Sequence, residues 1–240
     1  MQEERLFISD CHLDAGRPEI TQALTTFLQN RAAGASHLYI LGDLFEAWLG
    51  DDDSAPAYTP VIDALNHLAA NCDIYFMAGN RDFLIGEDFA ARAGLTLLSE
   101  PELLQLGDSR VALVHGDSLC TDDHEYQAFR RIVRNPDWQT VFLAKPLQER
   151  HQIAAQLRRD SVAAMSNKSN EIMDVNADAV ATFFQETGAD TIVHGHTHRP
   201  AVHHYPADLT RIVLGDWGPE PSYISWTETN GFHLHDPRVD

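Results

Sequence analysis

"IVHGHTHRPAV", residues 192–202, sets the apolar pair Ile192 and Val193 directly against a turn that carries two histidines, His196 and His198. A short apolar run bounded by turn residues reads as a buried strand. One histidine beside such a run is ordinarily a satisfied core or surface residue, so the turn gains meaning only if other strand ends carry matching groups. They do. "ISDCH" (8–12) supplies Asp10 and His12, and "ILGDLFE" (40–46) supplies Asp43. "MAGNRD" (77–82) supplies Asn80 and Asp82, and "LVHGD" (113–117) supplies His115.

The runs that precede these groups alternate with helical patterns. "LFIS" (6–9) leads into residues 17–34, where Ile20, Ala23, Leu24, Phe27 and Leu28 fall on one helical face and Gly34 suits the helix end. "HLYIL" (37–41), a helix from Pro60 to Ala70, "DIYFMA" (73–78), "RVALVH" (110–115), "TIVHG" (191–195) and "RIVLGDW" (211–217) follow. Strands separated by helices predict a layered α/β fold. Residues 122–174 lack a strand pattern and predict several short helices inserted into an otherwise single domain spanning 1–240. Ligand sites of α/β sheets gather at the carboxyl ends of strands, so separated strand ends converge on one spot.

Composition narrows the partners. Seventeen basic against 36 acidic residues give a formal charge of −19, which opposes nucleic-acid binding and favours cations. Cys11, Cys72 and Cys120 are odd in number and form no Cys-x-x-Cys pair, so neither a disulfide framework nor a zinc knuckle is expected, and a reducing cytoplasm is the simplest location. The acidic N-terminus lacks a signal-peptide core, and no segment reads as membrane-spanning. Without a heptad or long apolar repeat, a monomer is expected.

The donor set of carboxylates, one amide oxygen and imidazoles, with no thiolate, suits Mn²⁺, Fe or Zn²⁺ and is too rich in nitrogen for a calcium cage. Two ions held close together need a shared carboxylate, and Asp43 is the candidate. Gly42, Gly79, Gly116 and Gly195 adjoin the donors, as expected where backbone approaches an ion. Glu46 and Asp82 are candidates for orienting ligands. Asp51, Asp52 and Asp53 read as a solvated acidic loop, and Cys11 is expected to point away from the metals.

Asp10-x-His12, Gly42-Asp43, Gly79-Asn80-x-Asp82, His115 and Gly195-His196-x-His198 together resemble the signature of the calcineurin-like metallophosphoesterases. That resemblance implies a central β-sandwich flanked by helices and a dinuclear centre that activates water for in-line attack on phosphorus. It also implies that Asp10, His12, Asp43 and His198 hold one metal and Asp43, Asn80, His115 and His196 the other. It leaves the substrate open.

Two features narrow the substrate. Many phosphomonoesterases of the superfamily carry a histidine after the asparagine, placed to protonate an alkoxide leaving group; here the residue is Arg81, which keeps its proton but can fork phosphate oxygens. A leaving group already stable as an anion needs no acid, so a diphosphate is favoured. The second feature is a basic island between Tyr126 and Lys168, comprising Arg130, Arg131, Arg134, Lys145, Arg150, Arg158, Arg159 and Lys168, interleaved with bulky apolar residues. It suits either a helical lid facing an anionic membrane surface or, equally, ordinary core packing.

The longer strings "GDLFEAWLGDDD" (42–53), "AGNRDF" (78–83), "HGDSLCTDD" (115–123), "SNKSNEIMDVN" (166–176) and "HGHTHRPAVH" (194–203) resemble one subgroup, the UDP-2,3-diacylglucosamine diphosphatases of lipid A biosynthesis. This implies two Mn²⁺ per chain, water attack at the α-phosphorus, peripheral association with the inner membrane, and substrate contacts from Asn80, Arg81, Asp123, Ser161, Lys168 and His196. Met165 departs from the asparagine of some members and cannot replace an amide's donor and acceptor. A metallophosphoesterase of another nucleotide diphosphate or phosphodiester shares the metal signature and stays open; a scaffold without catalysis would be expected to lack a ligand.

Overall fold

A computed structural model describes residues 3–53, 56–165 and 174–239, with the backbone alone for 160–165. The chain opens with β1 (Glu4–Ile8), α1 (Pro18–Gln29), β2 (His37–Ile40), α2 (Thr59–Leu68), β3 (Asp73–Met77) and α3 (Glu87–Ala93). Three strands follow, β4 (Thr96–Leu98), β5 (Glu102–Leu106) and β6 (Ser109–Leu113), and then four helices, α4 (His124–Val133), α5 (Pro136–Leu143), α6 (Leu147–Met165) and α7 (Ala177–Thr187). It closes with β7 (Thr191–His194), β8 (Ala201–His204), β9 (Thr210–Val213), β10 (Tyr223–Thr227) and β11 (Gly231–His235).

The strands form two sheets, ordered β11-β10-β1-β2-β3-β4 and β5-β6-β7-β9-β8. The middle of each is parallel, β1 to β4 in one and β6, β7 and β9 in the other. Because successive side chains alternate faces, Phe7 points between the sheets while Leu6 and Ile8 point outward. Phe7, Tyr39, Leu41 and Met77 meet Val111, Leu113, Val193 and Ile212 in the inner core. Leu38, Ile40, Ile74 and Phe76 cover the other side of the first sheet with Ile20, Leu24, Val61, Leu65 and Phe89 of α1 to α3. On the second sheet, Ala112, Val114 and Ile192 pack on Val180 and Phe184 of α7. The result is a helix-flanked β-sandwich whose central strands are buried on both faces, which is why they read as continuous apolar runs.

Departures from the sequence reading have local causes. α1 stops at Gln29, where Asn30 donates its backbone N–H to Thr26, and Gly34 instead closes a separate 3₁₀ turn over Ala32–Gly34. The strands that left no clear signal, β4, β5, β8, β10 and β11, lie at or beside sheet edges; β10 alternates burial with partial exposure and β5 alternates partial with full exposure, so no continuous run marks them.

The acidic loop and the basic island also differ from expectation, because they neutralise one another or the sheet ends. Asp51 accepts hydrogen bonds from Trp48 Nε1 (2.8 Å) and from the backbone N–H of Gly86 and Phe89 at the start of α3. Asp52 pairs with Arg150, which is only 2% exposed and also donates to the Leu49 carbonyl. Asp53 lies 3.1 Å from His151. Lys145 pairs with Glu149 and Arg158 with Glu46, while Arg130 and Arg134 reach toward the sheets. Among the described residues, Ile132, Val141, Leu143 and Leu157 of α4 to α6 remain solvent-exposed.

Candidate metal centre

Two parallel zippers bring the strand ends together. Beyond β1 and β2 the chains continue side by side, with Asp10 N–H donating to Gly42 O (3.0 Å) and His12 N–H to Asp43 O (2.9 Å). Beyond β6 and β7, Gly195 N–H donates to His115 O (2.9 Å). The close approach demands glycine: a Cβ on Gly79 would stand 2.1 Å from Asp43 Oδ1, and one on Gly195 would stand 2.1 Å from Asp10 Oδ2.

The backbone is strained at the site. Asp10, His12, Asp43, His196 and His198 all have positive φ, between 46° and 65°. Such a conformation costs a non-glycine residue on the order of 1–3 kcal/mol and persists where the surroundings impose it, typically at functional sites. Among the described non-glycine residues only Ala207 and Asp208 share it.

The donors form two overlapping groups, Asp10 with His12 and His198, and Asp10 with Asp43 and His115, each with ligand atoms within 4.8 Å of one another. Asp10 is common to both groups, and Asp43 faces a histidine of each, with Oδ2 3.7 Å from His12 Nε2 and Oδ1 3.7 Å from His115 Nε2. Asn80 Oδ1 lies 3.0 Å from His115 Nε2 and 2.9 Å from His196 Nδ1. The seven residues expected to hold metal therefore meet in one cluster. Cys11 is buried in the hydrophobic core.

The donor chemistry fits a cation. His115 Nδ1 lies 2.8 Å from the Leu41 carbonyl, which can only accept, so Nδ1 carries a proton and Nε2 is the nitrogen turned toward the oxygens of Asp43 and Asn80, free to serve as a ligand once deprotonated. His12 and His198 face each other through Nε2 atoms 3.1 Å apart, and Asp10 Oδ1, fully buried, has no hydrogen-bond partner. Buried carboxylate oxygens, imidazole nitrogens and an amide oxygen converging in this way suit a positive charge. Burial opposes a charge on His115, but the Asp43, Asp117 and Asp10 carboxylates outweigh it and raise its pKa to about 9. A divalent cation bound by the same groups would leave that imidazole neutral. By contrast, burial and the neighbouring His115 lower the pKa of His196 to about 4.

Supporting residues hold this geometry. Asp82 accepts from the backbone N–H of Asp43, Leu44, Phe45 and Gly79, fixing both loops, and burial together with the Asp43 charge pushes its pKa up to about 6. Glu46 lies 3.0 Å from His12 Nδ1 and 3.9 Å from Arg81. Arg81 donates its backbone N–H to Asp43 Oδ1, and its own Nε is buried without a partner. Asp123 caps α4 by accepting from Tyr126 N–H. The side chain of Ser161 and the whole of Lys168 lie outside the described residues.

Sequence reasoning passed over two residues. Asp117 is fully buried and accepts from Tyr126 and Arg130, and the Tyr126 ring stacks on His196 with centroids 6.0 Å apart. The four-residue spacing of Tyr126, Arg130 and Arg134 was the available signal.

Residues 5–200 match the family model for the calcineurin-like phosphoesterases. The chain belongs to that family. Within it, the curated relatives are UDP-2,3-diacylglucosamine hydrolases: one from Chromohalobacter salexigens is 50% identical over 218 residues, covering 89% of each chain. Those of Marinobacter nauticus and Escherichia coli are 46% and 47% identical, each covering 97% or more of this chain and 98% of the relative. Vacuolar protein sorting 29 from Cryptosporidium parvum shares the fold at a TM-score of 0.53 with 13% identity, over 99% of this chain and 93% of that one. Membership of this phosphoesterase family implies a divalent metal cofactor, which the donor cluster fits.

Proposed function

We propose that the chain hydrolyses the pyrophosphate bond of UDP-2,3-diacylglucosamine, a step of lipid A biosynthesis, with water adding to the α-phosphorus to give UMP and 2,3-diacylglucosamine 1-phosphate. The relatives' shared name supports the substrate. The observation that carries the chemistry is Asp43, whose two oxygens face one histidine on each side. Asp10, His12 and His198 with Asp43 would hold one ion, and Asp43 with Asn80, His115 and His196 the other; we take both to be Mn²⁺. When bound, the ions stabilise charge on the phosphoryl oxygens and lower the pKa of water.

The protein's own groups do the rest. Arg81, held beside Asp43 by its backbone, offers its fork to the diphosphate. The departing sugar phosphate is a stable anion, so no side chain has to protonate it. Asn80, Asp123, Ser161, Lys168 and His196 are the further substrate contacts. The segment 122–174 acts as a lid within a single domain, its exposed Ile132, Val141, Leu143 and Leu157 meeting acyl chains or the inner-membrane surface. No described helix is long and apolar enough to cross a membrane; in this reading the chain acts as a monomer attached peripherally.

The test is UMP release from UDP-2,3-diacylglucosamine in detergent, with and without Mn²⁺, beside a His198→Ala variant and UDP-N-acetylglucosamine. Metal-dependent turnover of the acylated substrate alone, lost in the variant, is expected. Equal turnover of both substrates would reject the lipid assignment while keeping the phosphoesterase.

A further inference from the structure

Arg130 and Arg134 of α4 have partners that the proposed lid role does not use. Tyr126, Arg130 and Arg134, the last at the helix's C-terminal cap, are four residues apart and share one face. Together they reach the ends of three strands, with Asp117 shared by Tyr126 and Arg130. Tyr126 stacks on His196 and donates its hydroxyl to Asp117. Arg130 donates from Nε to Asp117 and from Nη2 to Glu100, both at 2.8 Å, and Glu100 in turn accepts the backbone N–H of His115 at 2.8 Å. Arg134 donates to the carbonyls of Ala78 (3.0 Å) and Gly79 (2.9 Å), the two residues before Asn80, and its guanidinium lies over Phe83.

Asn80, His115 and His196 are the three ligands that, with Asp43, form one half of the centre. Among the described residues, the hydrogen bonds, ion pairs and ring contacts of Tyr126, Arg130 and Arg134 reach none of Asp10, His12 and His198 of the other half. We infer that α4 is a positioning element for one metal subsite only: through this stripe it sets the geometry and metal affinity of the Asn80/His115/His196 half and ties that half to the helical segment beginning at α4. Groups that orient ligands without touching the ion typically change metal affinity by about 10- to 100-fold when removed.

The inference rests on the two-metal reading above, and a calorimetric titration of the EDTA-stripped full chain with Mn²⁺ separates the two. The wild-type protein is expected to show two binding events. In Arg130→Met and Arg134→Met one event weakens by about 10- to 100-fold while the other stays within about threefold, and Arg130→Lys, which can satisfy Asp117 or Glu100 but not both, falls between. Arg150→Met is the comparison, because it loosens α6 from the Asp52 loop without touching a ligand strand; both its events are expected to match the wild type. Should Arg130→Met fail to fold, Arg134→Met, which releases only two carbonyls, decides alone. Equal weakening of both events, or none, in the α4 variants would overturn the inference. A single event in the wild-type protein would reject the two-metal reading itself, and this inference with it.

Discussion

The strand-end cluster and the helical segment 124–165 use charge in opposite ways. At the strand ends, Asp10, Asp43 and Asp82 are packed within one buried region, five candidate ligands hold strained backbone, and the Nε2 atoms of His12 and His198 stand 3.1 Å apart. In the helical segment, buried or half-buried guanidinium groups are matched to acids and carbonyls, as Arg150 is to Asp52 and Leu49 and Arg130 is to Asp117 and Glu100. The first arrangement opposes folding and suits the divalent cation that membership of the family implies; the second stabilises the fold and needs nothing added. Unsatisfied charge marks where chemistry happens, and satisfied charge marks how the frame is held.

Substitutions can break this contrast. Asp43→Asn is expected to lower UMP release by more than about 100-fold while leaving the metal-free protein at least as resistant to urea as the wild type, since it removes a charge that repels Asp82. A variant both inactive and clearly destabilised would show that Asp43 serves the fold as well. Arg150→Met should do the reverse, reducing the free energy of unfolding by about 2 kcal/mol through lost charge-assisted hydrogen bonds, with Mn²⁺ affinity unchanged.

Smaller effects sharpen the picture within the helical segment. Asn135 caps α5 by accepting from Asp137 N–H (2.8 Å) and Trp138 N–H (3.4 Å), so Asn135→Ala should cost about 1 kcal/mol in the same denaturation experiment. Arg159 is exposed and bonds only to Gln156 of its own helix among the described contacts. Arg159→Ala should change stability by no more than about 0.5 kcal/mol; a larger loss would mean that the exposed cations also contribute to the frame.

What could be read from sequence depended on how far each partner lies along the chain. The candidate ligands were legible because each sits one to five residues past an apolar run, and the α/β pattern alone says that such positions converge. Arg150 and Asp52 are 98 residues apart, and Arg134 and Gly79 are 55 apart. No local pattern links them, so the basic residues looked like one free island. The short edge strands were missed for a related reason: their half-exposed alternation is set by neighbours rather than by composition.

By itself, then, the sequence determined the alternation of strands and helices, the donor chemistry at the strand ends and the preference for a cation, all of which follow from residue type and short-range spacing. Tertiary structure alone decided that Asp43 stands between two histidines, that His115 Nδ1 carries a proton against Leu41, and that Arg130 and Arg134 face the sheet ends rather than solvent. Those outcomes depend on which distant backbone carbonyls and carboxylates the packed sheets bring within hydrogen-bonding reach, and close packing fixes that only once the whole chain is folded.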